Sequence, residues 1–533
     1  MAMLGTALGG QVPAGAMVTN GRGRDGISNK RPRRGGSLTI GTNAEEASLS
    51  ILTGRFDTAG TIIARALYDP LMAVTTTGAI VPYLASSLVP SDNYTKWTVT
   101  LRPNLKFHDG TPCDGEALVT NFNAAMASAI SVALKPLVKG ATQSGPNSMT
   151  IEMVHPWVTF PDTYAATQVT FVGAPSMNSE PNQGAAHPIG TGPFVFDEWV
   201  VNSHLTLKAN PHYWRPGMPY LDEVTFVPIA DDQARAEALQ SGSIDLMITT
   251  SPTSIRSLHQ DPSVAYVDNR GAMVGSPDLG SLMLNTRKAP FDDPLARRIL
   301  ATAISSKAYS RIINQGVIPP ANGLFQPGSP YYSKTSYPKY DPAEARRLVS
   351  QYKAKHGSTL SFTSLAVATP QGTQQGEYLQ QVLHNVGVNL NLVQINQNEL
   401  IAAALEGQYE AMGWLDFGGI SPDLNYVWFS PTTIAKSGIS LNTTGNDDPQ
   451  IETAMLAGMA ATTSSERIKA YRTVNERLAV DLPYIWIDRS VWAIASNLSV
   501  ENWNNPTSPG GQHLVGNNQG LFWLPQVWTN QVS

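Results

Sequence analysis

Residues Tyr409–Asn425 read YEAMGWLDFGGISPDLN, and the prediction of the fold begins from them. The first part, Tyr409–Leu415, is mainly apolar or aromatic and contains no proline, which predicts a buried strand. Asp416 follows directly, and the Gly418–Gly419 pair must end the strand. The sequence therefore places a carboxylate at the carboxyl end of a strand.

Asp416 has two interpretations at this position. An ionised carboxylate beside Trp414 and Phe417 is costly to remove from water unless a cation meets it. Ligands of open α/β sheets bind outside the carboxyl ends of the strands, so in one interpretation the cation is a ligand ammonium. In the other, Asp416 caps a turn or pairs with an internal arginine. The residues alone leave both open.

Composition is typical of a globular protein and excludes several classes of function. Apolar residues make up 42% and charged residues 14% of the 533 residues, which predicts a substantial core. The net charge of −5 gives no support to nucleic acid or an anionic membrane as the main partner. Cys113 is the only cysteine, which excludes an intramolecular disulfide and a cysteine-based metal cluster.

The first 35 residues are predicted to be a disordered basic segment or the remnant of an export signal. Six basic residues and Asp25 lie between Arg22 and Arg34, after the weakly apolar Met1–Val18 stretch. That order is wrong for an intact signal peptide, and no lipid-accepting cysteine is present. Gly21–Gly26 spells G-x-G-x-x-G without a strand before it or a helix after it, which argues against dinucleotide binding.

Strand and helix patterns alternate along most of the remaining chain. A β-α-β unit is predicted between Glu223 and Ile248, and a second alternating series runs from Leu360 to the Tyr409 strand. Alternation of this kind predicts an α/β protein with mostly parallel sheets and right-handed crossovers. Two α/β lobes that the chain links more than once would form a cleft. The predicted boundaries are 36–69 with 189–281 and 490–533 for lobe I, 70–188 for an inserted α+β subdomain, and 282–489 for lobe II.

A series of short motifs stands in order between about residues 37 and 490. They are LYDPL at 67–71, LRPNLKFHDGTP at 101–112, GTGPF at 190–194, NPHYW at 210–214, SGSID at 241–245, LNT at 284–286 with PFDD at 290–293, DPAEA at 341–345 and LPY at 482–484. Each motif alone is weak. The ordered series resembles the extracytoplasmic solute receptors of the oligopeptide, dipeptide and nickel ABC importers, which form solute-binding family 5.

This resemblance implies a fold, a function and a location. The fold is a two-lobed periplasmic-binding-protein-like α/β fold (type II, similar to cluster C) with an extra N-terminal α+β subdomain, closing over its ligand by hinge motion. The implied function is capture of a short peptide or other small organic solute and its delivery to a membrane permease. The chain is then an extracytoplasmic monomer, periplasmic or associated with the cell envelope, with no catalytic residues, cofactor, metal or nucleic-acid partner.

The resemblance also implies a ligand site. In peptide receptors of this family a Trp and then an Asp-aromatic pair end a strand, and the Asp takes the α-ammonium of the peptide; Trp414, Asp416 and Phe417 match this pattern. The predicted ligand-binding residues are Gly413, Trp414, Leu415, Asp416, Phe417 and Asn285. Gly418–Pro422 is longer than the family's compact loop and is predicted to be more flexible. The candidates for a ligand carboxylate are Arg297, Lys307 and Arg311, although each lies on a predicted helix where a solvated face is the simpler interpretation.

Two alternatives remain open. The same receptor fold can carry a sugar, haem or another organic compound, with Asp416 bonding hydroxyl groups or holding its own loop. An enzyme is less well supported, because no G-x-S-x-G, H-E-x-x-H or Walker motif occurs. The nine histidines show no ligand spacing, which argues against the nickel branch and predicts no metal site. His108 lies in a motif turn, where a structural role is expected.

Overall fold

The computed structural model describes residues 25–28, 30–131, 134–180, 182–270, 274–416, 418–436 and 438–530, without the side chains of residues 129, 179 and 416. The prediction for residues 1–24 lies outside this range. Residues 25–28 and 30–35 differ from the predicted disorder, because Gly26 packs on the Trp503 ring and the Asn504 side chain donates to the Asp25 carbonyl at 2.9 Å. These contacts tie the start of the described chain to its C-terminal tail.

The strands are short and number twenty in the described chain. They are β1 Ser37–Thr42, β2 Met72–Val74, β3 Ile80–Pro82, β4 Ala85–Ser91, β5 Lys96–Leu101, β6 Val138–Gly145, β7 Ser148–Met153, β8 Phe194–Val200, β9 His204–Ala209, β10 Glu223–Pro228, β11 Leu246–Thr249, β12 Val264–Asp268, β13 Leu279–Leu284, β14 Ser361–Val367, β15 Asn389–Ile395, β16 Ala411–Asp416, β17 Tyr484–Arg489, β18 Ala493–Asn497, β19 Val500–Glu501 and β20 Trp528–Thr529.

Most helices begin after an Asp, Ser, Thr or Asn that caps the first turn. The helices are α1 Thr58–Leu67, α2 Gly115–Ala127, α3 Phe160–Ala166, α4 Asp232–Gln240, α5 Pro252–Gln260, α6 Pro294–Ala303, α7 Ser306–Ile312, α8 Pro342–His356, α9 Pro370–His384, α10 Gln397–Glu406, α11 Tyr426–Phe429, α12 Pro449–Ala460 and α13 Ser464–Asp481. Asp341 is a typical cap, since its carboxylate accepts from the backbone of Ala343 and Glu344 at 3.0 Å. None of the described helices has both the length and the apolar character that crossing a membrane requires.

The chain divides into two compact units, residues 1–274 with 491–533 and residues 275–490. Unit 1 contains a seven-stranded sheet in the order β12-β18-β11-β1-β10-β9-β8, and a four-stranded antiparallel sheet in the order β4-β5-β7-β6. Unit 2 contains a five-stranded sheet in the order β15-β14-β16-β13-β17. The four-stranded sheet falls within the predicted insertion 70–188, although the predicted lobe boundaries stay predictions.

The α/β class is confirmed, but the prediction of mostly parallel sheets is wrong. Among the described strands, only β10, β1 and β11 of unit 1 and β15, β14 and β16 of unit 2 pair in parallel. The chain between β8 and β9 turns within a few residues, and so short a connection permits only antiparallel pairing. β13 and β17 also run antiparallel to their neighbours.

The core of unit 2 fills one face of its sheet. Helices α6, α7, α8 and α9 contribute apolar residues that pack with the sheet residues of β13, β14, β15 and β17. Its fully buried members include Leu282, Leu284, Ile299, Leu300, Leu360 and Leu383. This packing holds β13 and its neighbours as a rigid platform for the carboxyl end of β16.

Two sequence motifs meet in a buried network in unit 1. Asp69 of LYDPL is 1% exposed and accepts hydrogen bonds from the Tyr213 hydroxyl at 3.0 Å and the Trp214 indole at 2.5 Å, both from NPHYW. Burial raises the pKa of Asp69 to about 7, although these donors act in the opposite direction. The LYDPL and NPHYW motifs therefore have a structural role inside unit 1.

The His108 ring forms two hydrogen bonds with the backbone of the GTGPF motif. Its Nδ1 accepts from the backbone N–H of Gly190 at 3.2 Å, so its Nε2 carries the proton and donates to the Gly192 carbonyl at 3.1 Å. Burial lowers the pKa of His108 to about 4, which keeps the ring neutral. A Cβ on Gly190 would lie 2.0 Å from the Leu67 carbonyl oxygen, so only glycine fits there. His108 thus has the structural role that the sequence predicts.

Candidate functional site

The predicted site lies where β16 loses one of its two neighbours. On one side β16 pairs with β13 along its whole length, from Leu284 opposite Ala411 to Leu279 opposite Asp416. On the other side, parallel pairing with β14 is described only for Ala411 and Met412. The backbone of Gly413–Asp416 therefore has no described strand partner on that side, and its hydrogen-bonding groups there are available for another chain.

The predicted ligand residues of β16 divide between the two faces of the sheet, because successive residues of a strand point in opposite directions. Trp414 is half-buried and lies opposite Ser281. Gly413 and Leu415 share the other face, where Leu415 is 55% exposed and a Cβ on Gly413 would have no neighbour within 4 Å. The Asp416 side chain and all of Phe417 lie outside the described residues, so their ligand roles stay predictions.

The Asn285 side chain forms hydrogen bonds with backbone groups inside unit 2. It is 5% exposed, and its amide nitrogen donates to the carbonyls of Gly407 at 3.2 Å and Tyr409 at 3.1 Å. Its amide oxygen accepts from the N–H of Arg287 at 3.2 Å. These bonds fix the chain that enters β16, and they weigh against the predicted contact with a ligand.

The three residues predicted to bind a ligand carboxylate differ in their burial and contacts. Arg297 is buried and donates to the carbonyls of Asp481 at 2.6 Å and Phe291 at 2.7 Å, so its guanidinium is used within the fold. Lys307 and Arg311 are exposed on α7. Neither position has a geometric feature that assigns it to a ligand.

The loop after β16 is held more firmly than its glycines suggest. Gly419 and Ser276 exchange backbone hydrogen bonds of 2.8 and 2.9 Å. Ser276 precedes β13, so these bonds extend the pairing of the two strands beyond the sheet. The prediction of a flexible Gly418–Pro422 loop differs from this arrangement.

A buried ion pair fixes the next part of the loop. The Arg467 guanidinium lies 3.0 Å from the Asp423 carboxylate and donates to the Ser421 hydroxyl at 2.9 Å, and the Tyr471 hydroxyl also donates to Asp423. Burial acts to lower the pKa of Arg467, but the charge of Asp423 and the neighbouring tyrosines, including Tyr331, raise it above its ordinary value. Asp423 is thus an internal anchor and not a ligand contact.

Two polar residues near the site were missed in the sequence. Ser281 is 5% exposed, and its hydroxyl has no hydrogen-bond partner among the described residues. Asp488 ends the sequence Trp486-Ile-Asp488, which repeats the Trp414-Leu-Asp416 pattern at the end of a second strand. An acid that follows a buried apolar run in the last residues of a strand is the signal that could have identified Asp488.

Metal ligands and a reactive thiol are the two features for which the described part of the chain was predicted to offer nothing. No group of three or more His, Cys, Asp or Glu side chains there is arranged to hold a metal ion. Cys113 is buried, and burial raises the pKa of its thiol, so it behaves as a small apolar residue.

Comparison with known proteins identifies the class to which this fold and site belong. The model of the bacterial extracellular solute-binding proteins, family 5, matches residues 79–436. The chain belongs to this family, whose members are the substrate-binding proteins of ABC importers and not enzymes. The resemblance inferred from the ordered motifs is therefore confirmed.

Relatives and solved structures agree with this assignment. The chain is 25% identical to the glutathione-binding protein GsiB of Escherichia coli O1:K1 over 464 residues, which cover 83% of this chain and 87% of GsiB. It is similar in fold to DppA of Helicobacter pylori in complex with the peptide STSA, with a TM-score of 0.80, 20% identity and coverage of 94% and 99% of the two chains. AgaA of A. tumefaciens R10 in complex with agropinic acid gives a TM-score of 0.79, 21% identity and coverage of 93% and 99%.

Proposed function

We propose that this chain binds a short peptide or peptide-like solute along the Gly413–Asp416 edge and delivers it to the membrane permease of an ABC importer. It acts as a monomer outside the cytoplasm, in the periplasm or at the cell envelope. The observation that carries the proposal is the end of β14 pairing at Met412, which leaves a strand edge beside the predicted ammonium-binding residue.

The physics is that of strand addition. A peptide in extended conformation can take the place that β14 leaves, and its main-chain groups then pair with the backbone of Gly413–Asp416. Main-chain pairing does not depend on side chains, so it suits a carrier of varied peptides. Asp416 supplies the charge that selects a free amino terminus, and Trp414 supplies an apolar wall.

The names of similar proteins support this choice of ligand class. GsiB is named as a glutathione-binding protein, and the DppA structure contains the peptide STSA. Both ligands are short peptides with charged ends.

Native mass spectrometry tests the proposal most directly. Protein purified under gentle conditions is expected to carry additional masses that denaturation releases and fragmentation assigns to short peptides. The Asp416→Ala variant, prepared in parallel, is expected to retain less of them. Release of a single non-peptide compound from the unmodified chain would contradict the peptide assignment.

A non-peptide solute is the second candidate. The similarity of fold to AgaA, whose structure contains agropinic acid, supports it, because the two chains align over nearly their whole lengths. In that case Asp416 would bond polar groups of the solute and the edge of β16 would remain hydrated. The same mass spectra separate the two candidates.

A further inference from the structure

A second carboxylate lies two strands away from the exposed edge of β16. Gly280 of β13 is opposite Leu415 of β16 on one side and opposite Asp488 of β17 on the other. A Cβ at position 280 would lie 2.2 Å from Oδ1 of Asp488. The missing side chain of Gly280 is therefore what lets the Asp488 carboxylate lie over β13, directed toward β16.

Few groups of the described chain stabilise the negative charge of the Asp488 carboxylate. Its Oδ2 accepts from the Asn314 side chain at 2.6 Å. Asp488 belongs to none of the ion pairs of the described residues, whereas Asp423, Asp293 and Asp448 meet Arg467, Lys355 and Arg477. Burial raises the pKa of Asp488 to about 6, against the opposing effect of Asn314. A neutral amide at 488 could accept the same bond from Asn314, so the fold does not require the charge.

The surface between Asp488 and the β16 edge is open. Gly280 and Gly413 present no side chains on this face, and Leu415 is 55% exposed. Tyr309 lies close enough to Asp488 for its charge to raise the pKa of the phenol, after the larger effect of burial, and Tyr309 packs edge-on against Tyr378 at 5.5 Å. Aromatic rings beside a half-buried carboxylate form an environment suited to an organic cation.

The distances match a long basic side chain. A peptide paired with β16 would send alternate side chains to the face that carries Leu415. The backbone of this peptide would lie two strand spacings, roughly 10 Å, from Gly280. Among natural side chains, arginine and lysine are long enough to cross this span and reach a hydrogen-bonding distance, with their stems lying on Leu415.

We propose that Asp488 forms a subsite for a cationic group of the solute, a guanidinium or ammonium on a long side chain. This inference rests on the proposed function, because it takes the Gly413–Asp416 edge as the place of the main chain. The subsite is separate from Asp416, which is assigned to the amino terminus. It makes the carrier selective for basic peptides.

Calorimetry with matched peptides tests the subsite. Tetra-alanine peptides with arginine at successive positions are compared with the same peptides containing citrulline, the neutral analogue of arginine. Arginine is expected to bind about tenfold more tightly at alternate positions only, since one charge-assisted contact is worth about that factor. Asp488→Asn is expected to remove the preference, and Asp447→Asn, which removes an equal charge from an exposed position, is expected to keep it.

A second measurement separates this inference from the proposed function. Agmatine, a small guanidinium compound, is expected to raise the thermal unfolding temperature of the unmodified chain more than that of Asp488→Asn. If no peptide binds but agmatine has this effect, the peptide function fails and the subsite stands. Equal affinity for arginine and citrulline at every position, a preference that survives Asp488→Asn, or failure of both peptides and agmatine would overturn the subsite.

Discussion

The guanidinium of Arg467 lies 3.0 Å from the carboxylate of Asp423, and this pair ties α13 to the loop that follows β16. Both side chains are almost completely removed from water. A charge in such a place is costly unless its partner remains. The pair therefore sets where the loop can go after the strand delivers Asp416, and it does so from 44 positions away in the sequence.

Arg467→Met is expected to destabilise the chain by about 3–5 kcal/mol, because it leaves the Asp423 carboxylate buried without its cation. Urea denaturation followed by tryptophan fluorescence measures the change. Arg472→Met on the same helix serves as the control, since Arg472 is exposed. Equal denaturation midpoints for the two variants would show that the buried pair does not stabilise the loop.

Stability is expected to fall as the pH drops from about 6.5 to about 4 because of His108. The pKa of this ring is lowered from 6.5 to about 4 in the folded chain, so the unfolded chain binds more protons between these values. The contribution of His108 is complete above pH 6.5 and decreases by about 3 kcal/mol on acidification. Urea midpoints measured across this range for the unmodified chain and for His108→Gln isolate it. If the two pH profiles are parallel, His108 is not the source.

The sequence predicts the local elements of this fold well and the direction of its strands poorly. Tyr409–Leu415 is predicted to be a strand and β16 covers Ala411–Asp416, because the apolar pattern and the following glycines mark it locally. The Asp341 cap is also a local feature, because its carboxylate binds backbone N–H groups only two and three residues further on. Strand direction depends on which partners meet in space. The alternating pattern predicts mostly parallel sheets, whereas β13 is antiparallel to both of its neighbours.

The candidate site shows a similar division. Its position at the end of β16 follows from the Trp414-Leu-Asp416 pattern and the resemblance to a family. The loss of pairing after Met412 depends on where β14 diverges from β16, and no local pattern reports that. Asn285 is a predicted ligand residue, but its amide nitrogen donates to two backbone carbonyls, and the sequence gives no sign of these distant partners.

Gly190→Ala is expected to cost about 1–3 kcal/mol of stability, because the added methyl group would overlap the Leu67 carbonyl oxygen and one of the two must move. Thermal unfolding measures the loss. Gly413→Ala provides the matched comparison, since a Cβ there meets no atom within 4 Å. A similar unfolding temperature for both variants would mean that the turn can relax away from α1 at little cost.

Asp416→Ala is expected to weaken peptide binding by about 2–5 kcal/mol, the cost of removing one partner of a buried, hydrogen-bonded charge pair. Calorimetry with a short peptide and its N-acetylated form gives the sharper test, because acetylation removes the ammonium and leaves the main chain for pairing with Gly413–Asp416. The unmodified chain should discriminate strongly between the two forms, and Asp416→Ala should bind both with the same low affinity.

Asp423→Asn is not a suitable control for the Asp416→Ala variant, because it breaks the ion pair with Arg467. Asp447→Asn removes an exposed charge and should preserve the discrimination. Equal affinity of the unmodified chain for the two peptides would refute the role of Asp416 while leaving strand addition at the β16 edge intact.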